Sequence, residues 1–118
     1  MKISIVTPTY NRAEDLERLY TSLVVNNNSN VEFEWLIMDD GSTDKTRITI
    51  DNFIKQGIIK IDYHYQVNQG KMAALNNLMP FVTGEIVMCL DSDEYLLPGE
   101  WDSPHKYLHS SPTHPFPY

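Results

Sequence analysis

Acidic residues cluster directly after two apolar segments of the sequence. They are Asp39 and Asp40 after the first segment, and Asp91, Asp93 and Glu94 after the second. If the two segments are neighbouring strands, these carboxylates converge and raise one another's pKa. A divalent cation with oxygen ligands, Mg²⁺ or Mn²⁺, is the simplest compensation, held by one or two carboxylates and completed by substrate phosphates and water. The pattern therefore predicts a metal-assisted site for a phosphorylated ligand.

Each acidic segment also has a purely structural interpretation. Residues 39–42, Asp-Asp-Gly-Ser, are a good turn and helix-cap sequence by themselves. Residues 91–93, Asp-Ser-Asp, are a short acidic triplet of a kind common in loops. A calcium loop starting at Asp91 is excluded, because its sixth position is Leu96, where glycine is needed, and its twelfth is Asp102 instead of glutamate.

Composition narrows the class of protein. The 118 residues, 42% of them hydrophobic, suffice for one globular domain with a core. A formal net charge of −7 argues against a nucleic-acid partner. The single Cys89 excludes an internal disulfide, and no apolar segment has the length of a membrane span or a signal-peptide core. We expect a cytoplasmic protein, with peripheral association at the inner membrane face left open.

Strand and helix patterns alternate along the chain. Apolar runs predict strands at 3–6, 33–38, 58–65 and 85–90. Helical spacing predicts a first helix whose apolar face is Leu16, Leu19, Tyr20 and Leu23. Asn11 and Glu14 form a capping-box pattern at its start. A second helix is expected to begin at Ser42, Thr43 or Asp44 and to stop at Gly57, and a third to follow Gly70 and to kink or end at Pro80.

The order βαβαβαβ predicts an α/β fold with a parallel sheet and helices on both faces. Ligands of such sheets bind beyond the C-terminal ends of the strands, which is where residues 7–11, 39–42 and 91–94 fall. We expect the domain to comprise residues 1–99. Residues 100–118 contain four of the seven prolines and three of the four histidines, and we interpret them as an irregular tail in which His105 and His109 are solvated.

Four motifs in order carry a resemblance to a known family. They are ISIVTPTYNR at 3–12, WLIMDDGSTD at 35–44, NQG at 68–70, and GEIV at 84–87 running into LDSDE at 90–94. Dinucleotide, P-loop and α/β-hydrolase motifs do not occur. A phosphoacceptor receiver domain would carry its acid pair after the first strand, where this chain has Thr-Pro-Thr-Tyr. Residues 2–99 closely resemble the N-terminal half of family 2 glycosyltransferases, which are inverting enzymes of the GT-A fold.

The resemblance implies a role for individual residues. A nucleotide-diphospho-sugar, most commonly a UDP-sugar, would be bound by Pro8 and Tyr10 around the base, by Asp40 hydrogen-bonded to the base, and by Lys71 near the diphosphate. Asp39 would orient its loop. Asp91 and Asp93 match the DxD motif, in which the first acid meets the ribose or metal-bound water and the second coordinates Mg²⁺ or Mn²⁺. The acceptor, a sugar or a lipid-linked group in polysaccharide biosynthesis, is unknown.

The catalytic base is not identified in this sequence. The resemblance implies an acid about a hundred residues beyond the DxD motif, whereas the sequence ends 25 residues after Asp93. We therefore expect a truncated enzyme, incomplete at the C-terminal side of the sheet and inactive alone. The alternative is a non-catalytic nucleotide-sugar-binding or oligomerising remnant, because an uncovered sheet edge favours self-association.

Overall fold

The computed structural model describes residues 2–27 and 31–98, which form a four-stranded sheet with helices on both faces. The strands are β1 (Lys2–Thr9), β2 (Glu32–Asp40), β3 (Lys60–Gln66) and β4 (Ile86–Cys89), and the helices are α1 (Ala13–Val25), α2 (Thr46–Gln56) and α3 (Lys71–Leu78). All pairings are parallel, in the order β3-β2-β1-β4. The predicted α/β class and parallel sheet are therefore confirmed. The predicted tail, with His105 and His109, lies outside the described residues.

The two faces of the sheet bury separate cores. One face packs against α1 and α2 and includes the predicted stripe of α1, Leu16, Leu19, Tyr20 and Leu23. Tyr20 stacks on Phe53 of α2 with ring centroids 4.0 Å apart, and both pack beside Trp35 of β2. The other face packs against α3, where Leu75 and Leu78 contact Val6 and Leu36. Side chains of β1 and β2 enter both cores, so these strands are buried on both faces.

The predicted capping box at the start of α1 is wrong. The N-cap position is Arg12, whose side chain makes no capping hydrogen bond. Asn11 instead adopts a positive φ of 52° and directs its amide oxygen to the loop after β2, where the backbone N–H groups of Thr43 and Asp44 donate to it. The side-chain oxygen of Asn11, which was expected to accept a hydrogen bond from the first turn of α1, therefore joins the loops after β1 and β2.

The other helix boundaries agree with the predictions from the sequence, except that α2 starts later than expected. Helix α2 begins at Thr46, later than expected, because Asp44 accepts a hydrogen bond from the Thr46 backbone and remains outside the helix. Gly57 ends α2 in the left-handed conformation, as predicted. Helix α3 ends at Leu78, and Pro80 lies in a 3₁₀ turn over Met79–Phe81, which confirms the predicted stop. No helix in residues 2–27 and 31–98 combines the length and apolar character needed to cross a membrane.

A buried glutamate fastens the start of β4 to the middle of the sheet. Glu34 of β2, 4% exposed, accepts hydrogen bonds from the Ser4 hydroxyl at 2.7 Å and from the Thr83 backbone and hydroxyl at 3.0 and 2.9 Å. Gly84 donates its N–H to Ser4 Oγ, and a Cβ at Gly84 would lie only 2.7 Å from that oxygen. Burial raises the pKa of Glu34, but the hydrogen bonds from Ser4 and Thr83 and the nearby Lys2 ammonium outweigh it and leave the pKa below its usual value.

We predict that Glu34→Gln destabilises the protein at neutral pH and much less in acid. A lowered pKa in the folded state stabilises the fold above about pH 4.5, the ordinary value, and this stabilisation is lost as the pH falls through the folded-state pKa. Urea denaturation at pH 7 should show a loss of about 1–3 kcal/mol, as for buried hydrogen bonds to a charged group. The loss should shrink at pH 3.5, below the ordinary pKa, because the unfolded chain then gains a proton at this carboxyl and the folded carboxylate contributes less stability. Glu17→Gln, an exposed change on α1, is the control; equal losses at both pH values for Glu34→Gln contradict the prediction.

Candidate functional site

The order of the strands brings three loops to one edge of the sheet. Because β1 lies between β2 and β4, the segments after these strands surround a common opening. A cleft of about 290 Å³ lies there, lined by Pro8, Thr9, Tyr10, Arg12, Asp40, Lys71, Asp91, Ser92 and Asp93. The six residues expected to bind a donor or a metal are Pro8, Tyr10, Asp40, Lys71, Asp91 and Asp93, and all six line this cleft. Thr9, Arg12 and Ser92 are lining residues that the sequence did not single out.

Asp39 shapes the loop after β2. This fully buried side chain accepts hydrogen bonds from the Ser42 backbone at 2.9 Å and from the Tyr63 hydroxyl at 2.7 Å. Burial and the hydrogen bond to Asp39 raise the pKa of the Tyr63 hydroxyl well above its usual value, so Tyr63 remains a donor at neutral pH. Gly41 follows with φ of 85°, and a Cβ there would lie 2.9 Å from the Asn68 backbone nitrogen. The structure thus gives Asp39 the loop-orienting contacts that were expected of it.

Asp40 joins three segments through one carboxylate. Its Oδ1 accepts from Gln66 Nε2 at 2.9 Å and from the Gln69 backbone at 2.7 Å, and its Oδ2 accepts from the Gly70 backbone at 3.0 Å. The Asn68 amide donates to the Asp40 carbonyl at 3.0 Å. Asp40 is 5% exposed. The carboxylate that the sequence assigned to ligand binding therefore also fixes the β3–α3 loop and the first turn of α3.

Asn11 and Ser42 are positioning residues that the sequence reasoning missed. The Asn11 backbone donates to Ser42 Oγ at 2.8 Å, while the Asn11 side chain accepts from Thr43 at 2.8 Å and from Asp44 at 3.2 Å. These contacts hold the loop carrying Tyr10 against the loop after β2. The available signal was asparagine itself, which tolerates a positive φ and whose side chain readily bonds to nearby backbone.

Lys71 and Asp91 form an ion pair across the cleft. Lys71 is the first residue of α3, and its Nζ donates to Asp91 Oδ2 at 2.7 Å. The hydrogen bond to Asp91 raises the pKa of the Lys71 ammonium. On the other side, Glu94 Oε1 accepts from the Asp91 backbone N–H at 2.7 Å, and the Glu94 N–H donates back to the Asp91 carbonyl at 2.9 Å. Glu94 closes the turn after β4 rather than facing the other carboxylates as a free base.

The carboxylates at this edge fit a hard divalent cation. Asp91 Oδ1 is buried and has no hydrogen-bond partner among the described residues, and Asp93 is exposed on the wall of the same cleft. Within the described ranges, no group of three or more acidic, histidine or cysteine side chains is arranged to hold a metal. The protein therefore offers two carboxylates, which suits Mg²⁺ or Mn²⁺ because these ions complete their coordination with phosphate oxygens and water.

Comparison with known structures defines the class of protein. The fold superposes with a TM-score of 0.80 on *S. aureus* TarS in complex with UDP-GlcNAc, at 27% identity over 90% of this chain and 30% of that one. It also superposes with a TM-score of 0.62 on the *Mycobacterium tuberculosis* glucosyl-3-phosphoglycerate synthase bound to Mn²⁺, UDP and glucosyl-3-phosphoglycerate, at 25% identity over 80% of this chain and 35% of that one. The fold is that of the GT-A glycosyltransferases.

Sequence comparison identifies the family. The family model for Glycosyl transferase family 2 matches residues 4–109, and the chain belongs to this family. An uncharacterized glycosyltransferase of Nostoc sp. is 39% identical over 98 residues, which are 83% of this chain and 30% of the relative. The chain thus spans about a third of the length of such relatives. The predicted family is confirmed, and the family match runs to residue 109, ten residues past the predicted domain boundary.

We predict that Asp40→Asn loosens the β3–α3 loop. An amide at this position offers one acceptor oxygen and places an NH₂ group against backbone N–H donors, so the free energy of unfolding should fall by about 1–3 kcal/mol. Hydrogen exchange at the Gln69 and Gly70 amides should accelerate more than exchange in β1. Asp51→Asn, an exposed change on α2, is the matched control. Unchanged protection at Gln69 and Gly70 would show that the carboxylate does not hold this loop.

Proposed function

We propose that this chain is the donor-binding part of an inverting glycosyltransferase, which binds a nucleotide-diphospho-sugar, most commonly a UDP-sugar, together with Mg²⁺ or Mn²⁺. The observation that carries the proposal is the single cleft lined by Pro8, Tyr10, Asp40, Lys71, Asp91 and Asp93. Nucleotide complexes of TarS and of the mycobacterial synthase, both of the same fold, support it. Residues 1–99 are proposed as the donor-binding domain.

The base would bind at the end of the cleft formed by the loops after β1 and β2. Tyr10 is 48% exposed, so its ring is available to stack on a base. Three donors already bind the Asp40 carboxylate, and a carboxylate has about four acceptor positions. The remaining position is on Oδ2, where it can accept one N–H of a base. Pro8 completes the wall beside Tyr10.

The diphosphate would bind at the other end of the cleft, between α3 and the turn after β4. Asp91 and Asp93 would hold the metal ion, which supplies electrostatic stabilisation of the charge that develops on the departing diphosphate. Lys71, at the start of α3, faces Asp91 across the cleft and contributes a positive charge toward the phosphates. In a chain of net charge −7, these local cations are what make binding of an anionic donor favourable.

Transfer in a single displacement also needs a base that accepts the proton of the acceptor hydroxyl. The acids at this edge of the sheet have other tasks: Asp40 accepts from backbone donors, Asp91 pairs with Lys71, and Glu94 closes a turn. We assign the base to the part of the relatives' length that this chain does not span. The acceptor is a hydroxyl of a sugar or of a lipid-linked glycan.

We predict metal-dependent binding of UDP-sugars by this chain. Isothermal titration calorimetry with UDP-GlcNAc and UDP-glucose should detect binding with Mn²⁺ and weaker binding with EDTA. Asp93→Ala should weaken binding in Mn²⁺ by at least about tenfold, because it removes an exposed carboxylate that lines the cleft, a loss of about 1.4 kcal/mol or more.

The matched control is Asp62→Ala, which removes a carboxylate from β3, away from the lining of the cleft. Its affinity for UDP-GlcNAc with Mn²⁺ should equal that of the wild type. Binding that is insensitive both to EDTA and to Asp93→Ala would refute the metal site. Absence of binding by the folded wild-type chain with any nucleotide-sugar would refute the donor site as a whole.

A further inference from the structure

We infer that Lys71 pairs with Asp91 in the free protein and moves to the diphosphate when a donor binds, so that metal and nucleotide bind cooperatively. This inference rests on the proposed function. The observation is the 2.7 Å contact between Lys71 Nζ and Asp91 Oδ2, which places an ammonium on a carboxylate that the metal ion needs. Lys71 can thereby exchange its contact with Asp91 in the free protein for a contact with the phosphates in the complex.

Both ends of this ion pair are held by the backbone. Helix α3 starts where Asp40 Oδ2 accepts from the Gly70 N–H, which fixes the main chain immediately before Lys71. Asp91 is fixed by its reciprocal hydrogen bonds with Glu94, and the Leu90 N–H before it donates to the Val6 carbonyl of β1. The flexible lysine side chain can therefore exchange Asp91 for phosphate while the framework remains in place.

The pair is exposed enough to exchange. The Lys71 side chain is 48% exposed and that of Asp91 is 34% exposed. Exposed ion pairs of this kind are weak, so a diphosphate with its higher charge can compete for the ammonium. A divalent cation arriving alone meets a neighbouring positive charge on the same carboxylate, which opposes its binding. Once the ammonium contacts phosphate, Asp91 is released for the ion.

Cooperativity follows from this exchange and is reciprocal. A nucleotide that removes Lys71 from Asp91 increases the affinity for the metal, and the metal must then increase the affinity for the nucleotide by the same factor. Part of that factor arises from direct contact between metal and phosphate. The part that depends on Lys71 disappears when the ammonium is removed.

Mn²⁺ binding to the full chain, followed by the electron paramagnetic resonance signal of free Mn²⁺, tests the inference. Lys71→Met should bind Mn²⁺ alone about two- to fivefold more tightly than the wild type, the value of an exposed ion pair expressed as affinity. Saturating UDP should then increase Mn²⁺ affinity by a smaller factor in Lys71→Met than in the wild type. Lys71→Arg keeps the charge and should bind Mn²⁺ alone more weakly than Lys71→Met does, and Lys55→Met on α2 is the control for loss of an exposed lysine.

The outcomes separate the inference from the proposed function. If the wild type binds Mn²⁺ and folded Lys71→Met binds it equally well or more weakly, the inference is wrong and the proposed function stands. Mn²⁺ binding that appears only in Lys71→Met supports it. Absence of Mn²⁺ and UDP binding in every folded variant overturns the proposed function and the inference together.

Discussion

The carboxylate of Asp40 holds together the edge of the sheet on which the site depends. It is buried at the end of β2 and accepts hydrogen bonds from Gln66, Gln69 and Gly70, which lie 26 to 30 residues further along the chain. A buried charge is tolerated only when such donors replace its water. Because these donors are the end of β3 and the start of α3, the same bonds fix where α3 begins and therefore where Lys71 faces Asp91.

The acids at this edge divide into two groups by their contacts. Asp39, Asp40 and Glu94 accept hydrogen bonds from backbone groups and shape the loops. Asp91 and Asp93 retain oxygen atoms for a ligand, since Asp91 Oδ1 has no hydrogen-bond partner in the part of the chain that the structure describes and Asp93 is exposed. Concentrating five acids at one edge is feasible because hydrogen-bond donors stabilise the charge of three of them locally. The two that remain face the cleft, where a divalent ion can compensate them.

The elements and the edge that carries the site were predictable from the sequence because they depend on local signals. Apolar runs rich in β-branched residues predicted the strands, and Gly57 and Pro80 predicted two helix ends. Contacts between distant segments were not predictable: Asn11 matched a helix cap but bonds to a loop more than 30 residues away. The separation of Lys71 and Asp91 in sequence likewise gave no indication of an ion pair. The positions assigned to the cleft came from the family resemblance as much as from the physical pattern.

The proposed placement of a metal ion beside Asp91 and Asp93 is tested most directly by nuclear magnetic resonance of the ¹⁵N-labelled chain titrated with substoichiometric Mn²⁺ in the presence of UDP. Paramagnetic broadening should first remove the amide signals of residues 91–94 and of Gly70 and Lys71. Signals from the opposite end of the sheet, at Lys2 and Thr83, should persist. Broadening centred near Thr83, or uniform broadening without preference for the cleft, would contradict this assignment.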